Sequence, residues 1–244
     1  MQKNDRHNAG GKSAEEVREM FARVAPRYDF LNHFLSLGQD FRWRRAAARE
    51  LKELENGAWI ADVCAGTGDL GFAFLKAAAQ AHVAAVDFTH EMLVLGTAKS
   101  AKRRNAGRVC FSRGDALHLP LREQSCAAAG VAFGIRNVTD LSAGLREMHR
   151  ILVSGGTALI LEFTKPPGRF FGPVYLFYFR HILPLLGRVV SWGSGDAYAY
   201  LPASVDAFAG PDEMAERMRS AGFIDVRARP LTFGVVHLYI GKKA

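Results

Sequence analysis

Val17, Met20, Phe21 and Val24 recur at the i, i+3, i+4, i+7 spacing of an amphipathic helix, and Ser13 with Glu16 forms a capping box at its start. The helix should stop before Pro26, because the residue ahead of a proline is pushed out of the helical region. Trp43, Ala47, Leu51 and Leu54 mark one face of a second helix from about Asp40 to Leu54, with Arg42, Arg44, Arg45 and Lys52 mostly opposite. Two helices therefore precede the first strand, and residues 13–54 read as a helical lid. From Ala58 onward, short apolar runs alternate with helical segments. Strands fall near 58–63, 82–87, 108–112, 127–133 and 157–163, with helices near 69–80, 90–103 and 139–152 between most of them. Such alternation predicts an α/β fold built on a doubly wound, mostly parallel sheet covered on both faces. A helix near 211–221 and two strands, 224–229 and 233–240, then predict an antiparallel C-terminal hairpin on the sheet edge. No linker or internal repeat divides the chain, so residues 13–244 read as one domain behind a flexible, basic tail at 1–12.

The 244 residues suffice for one elaborated domain with a deep core. Cys64, Cys110 and Cys126 have no close pair, and no two histidines come nearer than His82 and His90, which excludes a disulfide framework and leaves no metal-ligand spacing. A net charge of +8 favours an anionic partner: nucleic acid, phospholipid or a charged small molecule. The most apolar stretch, Phe170 to Val190, is interrupted by Pro173, Arg180, Pro184 and Gly187. Its unbroken part is far short of the ~20 residues of a spanning helix. Residues 1–12 lack the apolar core of a signal peptide, so the expected location is the cytoplasm.

The strand Trp59-Ile60-Ala61-Asp62-Val63 runs into Cys64-Ala65-Gly66-Thr67-Gly68-Asp69-Leu70-Gly71 and a helix, the place where a doubly wound sheet forms its ligand crevice. Gly66, Gly68 and Gly71 match the dinucleotide fingerprint, and Asp87 ends the next strand near the spacing of a ribose-binding acid. Three features favour S-adenosylmethionine over a nicotinamide cofactor. Asp62 and Asp69 surround the turn with negative charge, unfavourable for a pyrophosphate and tolerable for a ligand with an ammonium and a sulfonium. Gly114-Asp115-Ala116 follows the third strand, where an acid can accept from an adenine amino group; Asp115 can equally form its own turn, and Asp62 can bond turn amides. Tyr239 with Lys243, the one Tyr-x-x-x-Lys pair, lies in the last six residues, away from any crevice.

Past the middle of the sheet come Phe133-Gly134-Ile135-Arg136-Asn137-Val138-Thr139-Asp140, a helix with Leu145-Arg146-Glu147-Met148-His149-Arg150, and a strand ending Leu161-Glu162-Phe163-Thr164-Lys165-Pro166. Together with Tyr28-Asp29-Phe30-Leu31-Asn32, Leu35-Ser36-Leu37-Gly38, Arg42-Trp43-Arg44 and Tyr198-x-Tyr200-Leu201-Pro202, these segments closely resemble the ubiquinone/menaquinone biosynthesis C-methyltransferases, over residues 17 to 240. The resemblance implies a class I fold and methylation of a ring carbon of a prenylated quinol by S-adenosylmethionine. The candidate rings are a demethylmenaquinol and a methoxy-benzoquinol. It implies cofactor contacts at Thr67, Asp87, Asp115 and Ala116. Two departures stand out. Ala132 occupies a position where the family often has serine, and the fourth strand, Ala127-Ala128-Ala129-Gly130-Val131, is poor in bulky side chains, which puts its packing in doubt.

Methyl transfer from sulfonium to carbon needs the two atoms in line and roughly 3–3.5 Å apart. A quinol carbon becomes nucleophilic as its neighbouring hydroxyl loses a proton, so the site must stabilise a phenolate-like charge. Arg136 and Asn137, after the fourth strand, are expected to do so, the arginine as a fixed cation holding a water and the asparagine orienting the oxygen. A helix cap or a surface pairing for Arg136 and a turn role for Asn137 are the competing readings. Tyr28 would add a hydrogen bond or a stacked ring from the lid, and His33 and His149 are further candidate bases. Residues 170–200 would form an aromatic insertion giving the prenyl tail access, with Arg169, Arg180, His181 and Arg188 suited to transient contact with the inner face of an anionic membrane. A core helix or the interface of a homodimer would account for the same apolarity. A nucleic-acid substrate is disfavoured: no Asp/Asn-Pro-Pro-aromatic motif occurs, and Lys165-Pro166-Pro167-Gly168 lacks both the acid and the ring.

Overall fold

The computed structural model describes residues 7–166, apart from 52, 104 and 106, and residues 195–244. The capping box is formed as expected: Ser13 and Glu16 bond each other's backbone N–H, and α1 runs over Ala14–Val24. A short 3-10 turn carries Pro26, and a helix absent from the sequence reading, α2 (Tyr28–Leu35), follows before α3 (Gln39–Ala48). Three α-helices, not two, thus precede the sheet. The period was masked because α2 buries Leu31 and Leu35 yet exposes Phe30 and Phe34. Arg44 also departs from its expected solvent face. It lies buried on α3, paired one turn back with Asp40.

Strands β1 (Trp59–Val63), β2 (His82–Asp87), β3 (Val109–Arg113), β4 (Cys126–Ala132) and β5 (Leu152–Phe163) alternate with α4 (Asp69–Ala77), α5 (His90–Lys102) and α6 (Leu141–Ile151). After the undescribed segment come α7 (Gly195–Ala207), α8 (Pro211–Ser220), β6 (Phe223–Leu231) and β7 (Val236–Lys243). The seven strands lie in the order β3-β2-β1-β4-β5-β7-β6, parallel except for β7, which pairs antiparallel with both β5 and β6. Connections leave β1 toward β2 and leave β4 toward β5, so the sheet changes direction between β1 and β4 and opens a crevice at their carboxyl ends. Apolar clusters cover both faces, one centred on Trp43, Phe74 and Leu159, the other on Met148, Ile160 and Tyr239.

The small residues of β4 are a packing requirement rather than a weakness. A Cβ at Gly130 would stand 2.5 Å from Phe74 Cζ, so a bare backbone lets a buried phenyl ring close on the strand. The same economy brings α4 against β1 and β2. A Cβ at Gly71 would stand 2.9 Å from Val83 Cγ1 and 3.0 Å from Asp62 Oδ2. Gly71 instead presents its N–H, which donates to Asp62 Oδ2 at 2.8 Å. Asp62 therefore takes the turn-bonding role. Burial pushes its carboxyl up to about 7.

A raised carboxyl means that the folded chain keeps a proton which the unfolded chain has released, so stability falls as pH rises from the ordinary carboxylate range toward 7. Asp62→Asn retains an acceptor for the Gly71 N–H and removes the titration. Its unfolding free energy should fall less steeply across that window than the wild-type value, measured by urea denaturation at a series of pH values. An identical slope in both proteins would contradict burial as the cause.

Candidate functional site

The crevice is a cavity of about 880 Å³, open to solvent at one side. Its floor is made by the ends of four parallel strands: Cys64 and Gly66 after β1, Val86 to Thr89 after β2, Gly114 to Leu117 after β3, and Ala132 to Gly134 with Asn137 after β4. The N-terminal helices supply its roof through Val17, Phe21 and Tyr28. Phe21 meets Tyr28 edge to face, with ring centroids 5.9 Å apart.

Asp87 is held at the centre of the floor. Its Oδ2 accepts from Gly66 N and its Oδ1 from Thr89 N, each at 2.8 Å, which fixes the carboxylate while leaving further lone pairs for a ligand. Burial pushes its pKa up, and the backbone donors oppose the shift. Asp115, also in the wall, accepts from Leu117 N at 2.9 Å through Oδ1, so the turn role engages that oxygen and leaves Oδ2 available to a ligand. Ala116 lies beside it in the wall, and Met92 and Phe88 offer apolar surface nearby.

Thr67 and Gly68 fall outside this wall. At Gly68 the backbone is left-handed, φ 84°, and a Cβ would stand 2.9 Å from Phe111 Cζ, so this glycine serves the turn itself. Thr67 borders a smaller adjoining cavity of about 310 Å³, shared with Tyr28, Arg44, Asp62, Cys64 and Asp69. Its hydroxyl donates to Asp29 Oδ1 at 2.6 Å and receives Lys99 Nζ at 3.0 Å. Lys99 also pairs with Asp69 at 2.6 Å. The negative charge expected around the glycine turn is thus largely compensated, by a lysine on α5 that the sequence reading did not connect with it.

Arg136 and Asn137 part company. The Arg136 guanidinium is buried behind the wall, where Nη1 bonds Glu162 Oε1 at 2.8 Å and the Phe133 carbonyl at 2.5 Å, and Nε donates to Ser204 Oγ at 3.2 Å. The competing expectation of a surface pairing fails, because the partner Glu162 is itself fully buried. Its charge still reaches the roof. Burial raises the Tyr28 phenol, opposed by a hydrogen bond to Asn32 and by the charges of Arg44 and Arg136. Asn137 does line the cavity. Tyr200 on α7 donates to its Oδ1 at 3.0 Å, and Asn8 donates both to its backbone carbonyl and to the Tyr200 hydroxyl.

Asn8 is therefore no part of a solvated tail, being 7% exposed. Nothing in the local pattern around it signals this contact. His33 bonds Asp40 at 2.7 Å, and His149 packs against Phe223; neither borders the cavity. The aromatic insertion lies mostly outside the described residues. Among the described residues no cluster of three or more His, Cys, Asp or Glu is placed to hold a metal ion.

Comparison with known proteins agrees with this architecture. The model of the ubiE/COQ5 methyltransferase family matches residues 9–243. A demethylmenaquinone methyltransferase of Deinococcus radiodurans is 44% identical, over 94% of this chain and 93% of its own. A ubiquinone/menaquinone biosynthesis C-methyltransferase of Geobacter sulfurreducens is 41% identical, over 95% of this chain and 90% of its own. Among solved structures, a SAM-dependent methyltransferase from Aquifex aeolicus superposes with a TM-score of 0.58 at 16% identity, covering 80% of this chain and 87% of that one. On the glycine turn, the Asp87 floor, the loop after β4 and the match along nearly the whole sequence, the chain belongs to the ubiE/COQ5 methyltransferase family.

Proposed function

We propose that the chain transfers a methyl group from S-adenosylmethionine to a ring carbon of a prenylated quinol, converting a demethylmenaquinol to a menaquinol. The single observation that carries this reading is one cavity whose wall combines two chemically different sets of residues. The strand ends and helix α5 on the β2 and β3 side give Asp87, Asp115, Ala116, Met92 and Phe88, and the helical roof with the loop after β4 gives Tyr28, Phe21, Phe133 and Asn137.

The first set fits the cofactor. Asp87 has carboxylate lone pairs left for a ribose diol, Asp115 Oδ2 can accept from an adenine amino group, and Gly66 leaves open space, with a Cβ there 3.7 Å from its nearest contact, Tyr28 Cε1. When bound, S-adenosylmethionine supplies the electrophilic methyl on its sulfonium. Ala132 provides no hydroxyl at the position where the family often has serine, so that hydrogen bond is either absent or supplied by backbone.

The second set suits an aromatic ring that gains negative charge. Tyr28 keeps its proton, its phenol raised by burial, and can donate to a quinol oxygen. Asn137 Oδ1 is engaged by Tyr200, which orients its amide nitrogen as the donor that remains. We assign Arg136 a field effect from behind the wall, favouring the phenolate without touching it, and we assign Asn137 the contact. A prenyl tail resides in a bilayer, so the chain works in transient contact with a membrane surface. Among the described residues no helix is long and apolar enough to cross one.

Labelled-methyl transfer to each reduced quinol in turn tests the reading. Label should enter demethylmenaquinol and not its oxidised quinone, and failure with every quinol would overturn it. Asp87→Asn should weaken binding of S-adenosylhomocysteine by about tenfold or more in calorimetry, the scale of a lost charged hydrogen bond. Because Arg136→Ala alone strands a buried Glu162, the paired change Arg136→Met with Glu162→Gln is the cleaner test. It should lower turnover by less than the roughly 100-fold cost of removing a donor in direct contact with the developing charge, and leave cofactor affinity nearly unchanged. Wild-type turnover would remove Arg136 from the mechanism.

A further inference from the structure

Phe30, Phe34, Leu37 and Phe41 form an exposed apolar stripe along the α2–α3 hairpin, at 59%, 45%, 81% and 48% exposure. Phe30 and Phe34 stack on each other, centroids 5.9 Å apart, and Phe41 stacks on His33. Single exposed apolar residues are ordinary, whereas four neighbours on one hairpin are not. Leu37 is the most telling. It sits at the turn with φ 51°, a left-handed conformation that glycine or asparagine adopts at far lower cost, and it is almost fully solvated. Neither backbone geometry nor core packing accounts for a leucine there.

The surroundings of the stripe have one sign. Arg42, Arg45 and Arg49 share the exposed face of α3 with Phe41. The two acids of the hairpin are turned to other duties, Asp29 paired with Lys99 and Asp40 buried against Arg44. Glu50 pairs with Arg229. An aromatic stripe beside uncompensated arginines is the arrangement of an interfacial membrane element. We propose that the α2–α3 hairpin docks this protein on an anionic phospholipid surface, with Phe30, Phe34 and Leu37 entering the bilayer and the α3 arginines meeting lipid phosphates. Tyr28, on the opposite side of α2, roofs the cavity, so docking would bring the site within one helix of the lipid. The proposal rests on the reading of a lipid-borne substrate for its purpose and not for its evidence.

Flotation of the full chain with vesicles of phosphatidylglycerol and phosphatidylcholine, against phosphatidylcholine alone, tests it. Wild-type protein should float with the anionic vesicles and at least tenfold less with the neutral ones. Phe34→Ser with Leu37→Gly should cut recovery on anionic vesicles by at least tenfold, and Arg42→Glu with Arg45→Glu should do the same. Leu37→Gly alone should unfold at or above the wild-type temperature, separating loss of docking from loss of folding. Methylation of a short-tailed, water-soluble quinol should continue in these variants; its absence in wild type would indict the proposed reaction rather than the docking surface. Undiminished flotation of the variants would overturn the proposal and shift docking to residues 167–194. Failure of wild type to float would also overturn it. So would a variant that turns a wild-type dimer into a monomer, which would make the stripe an interface between copies.

Discussion

One ammonium group holds the roof of the cavity in place. Lys99 Nζ stands 2.7 Å from Asp29 Oδ2, 2.6 Å from Asp69 Oδ1 and 3.0 Å from Thr67 Oγ1. These partners come from α2, the start of α4 and the glycine turn, so the contact fastens a helix remote in sequence onto the heart of the sheet. Burial works to raise the Asp29 carboxyl, yet the bonds from Lys99 and Thr67 outweigh it and keep it below its ordinary range. Lifting α2 would take the Asp29 carboxylate from Lys99 and break its bond with the Thr67 hydroxyl, leaving Asp69 as the remaining anionic partner of the ammonium. Tyr28 precedes Asp29 in the chain, and its ring is thereby set over Gly66. Without that roof the ends of the strands would face open water, and a reacting pair would have no fixed alignment.

The floor is specified differently, by backbone conformations that most residues avoid. Cys64 at the end of β1 has φ 53°, and Phe133 at the end of β4 has φ 60°. Both flank the point where the sheet reverses direction. A Cβ on Gly134 would lie 2.5 Å from the Cβ of Cys64, so the two loops touch across the crevice with no side chain between them. Such conformations cost of order 1–3 kcal/mol each and persist where the surroundings over-determine them. Here the surroundings are Arg136 and Glu162. The arginine caps the Phe133 carbonyl, and its partner Glu162 accepts from the Phe163 N–H, so one buried ion pair locks the two strands that flank the loop.

What could be read from the chain divides along the range of the interactions involved. The glycine turn, the alternation of strands and helices, the capping box and Asp87 depend on neighbours within one supersecondary unit, and their residue types carry that dependence openly. The position of Arg136 depended on Glu162 and Ser204, and that of Asn137 on Asn8 and Tyr200, partners dispersed over most of the sequence. No local period records such meetings. Helix α2 was hidden for a different reason: its eight residues are too few to repeat a period, and Phe30 and Phe34 face solvent where polar residues would mark an outer face.

The same distinction revises the electrostatic argument for the cofactor. Counting acids near the glycine turn suggests a site that attracts a cation by net charge. In the folded chain Asp69 shares Lys99, and Asp62 spends its acceptor on Gly71 with a carboxyl shifted close to neutrality. The carboxylates that reach the cavity wall are Asp87 and Asp115, each already fixed by backbone N–H groups. In the proposed reading, recognition of a nucleoside there follows from where acceptor oxygens are held, which is compatible with a net charge of +8 on the whole chain. Excess positive charge stands on outward faces such as that of α3, with Arg42 and Arg45 exposed, and at that distance solvent screening leaves the crevice to short-range geometry.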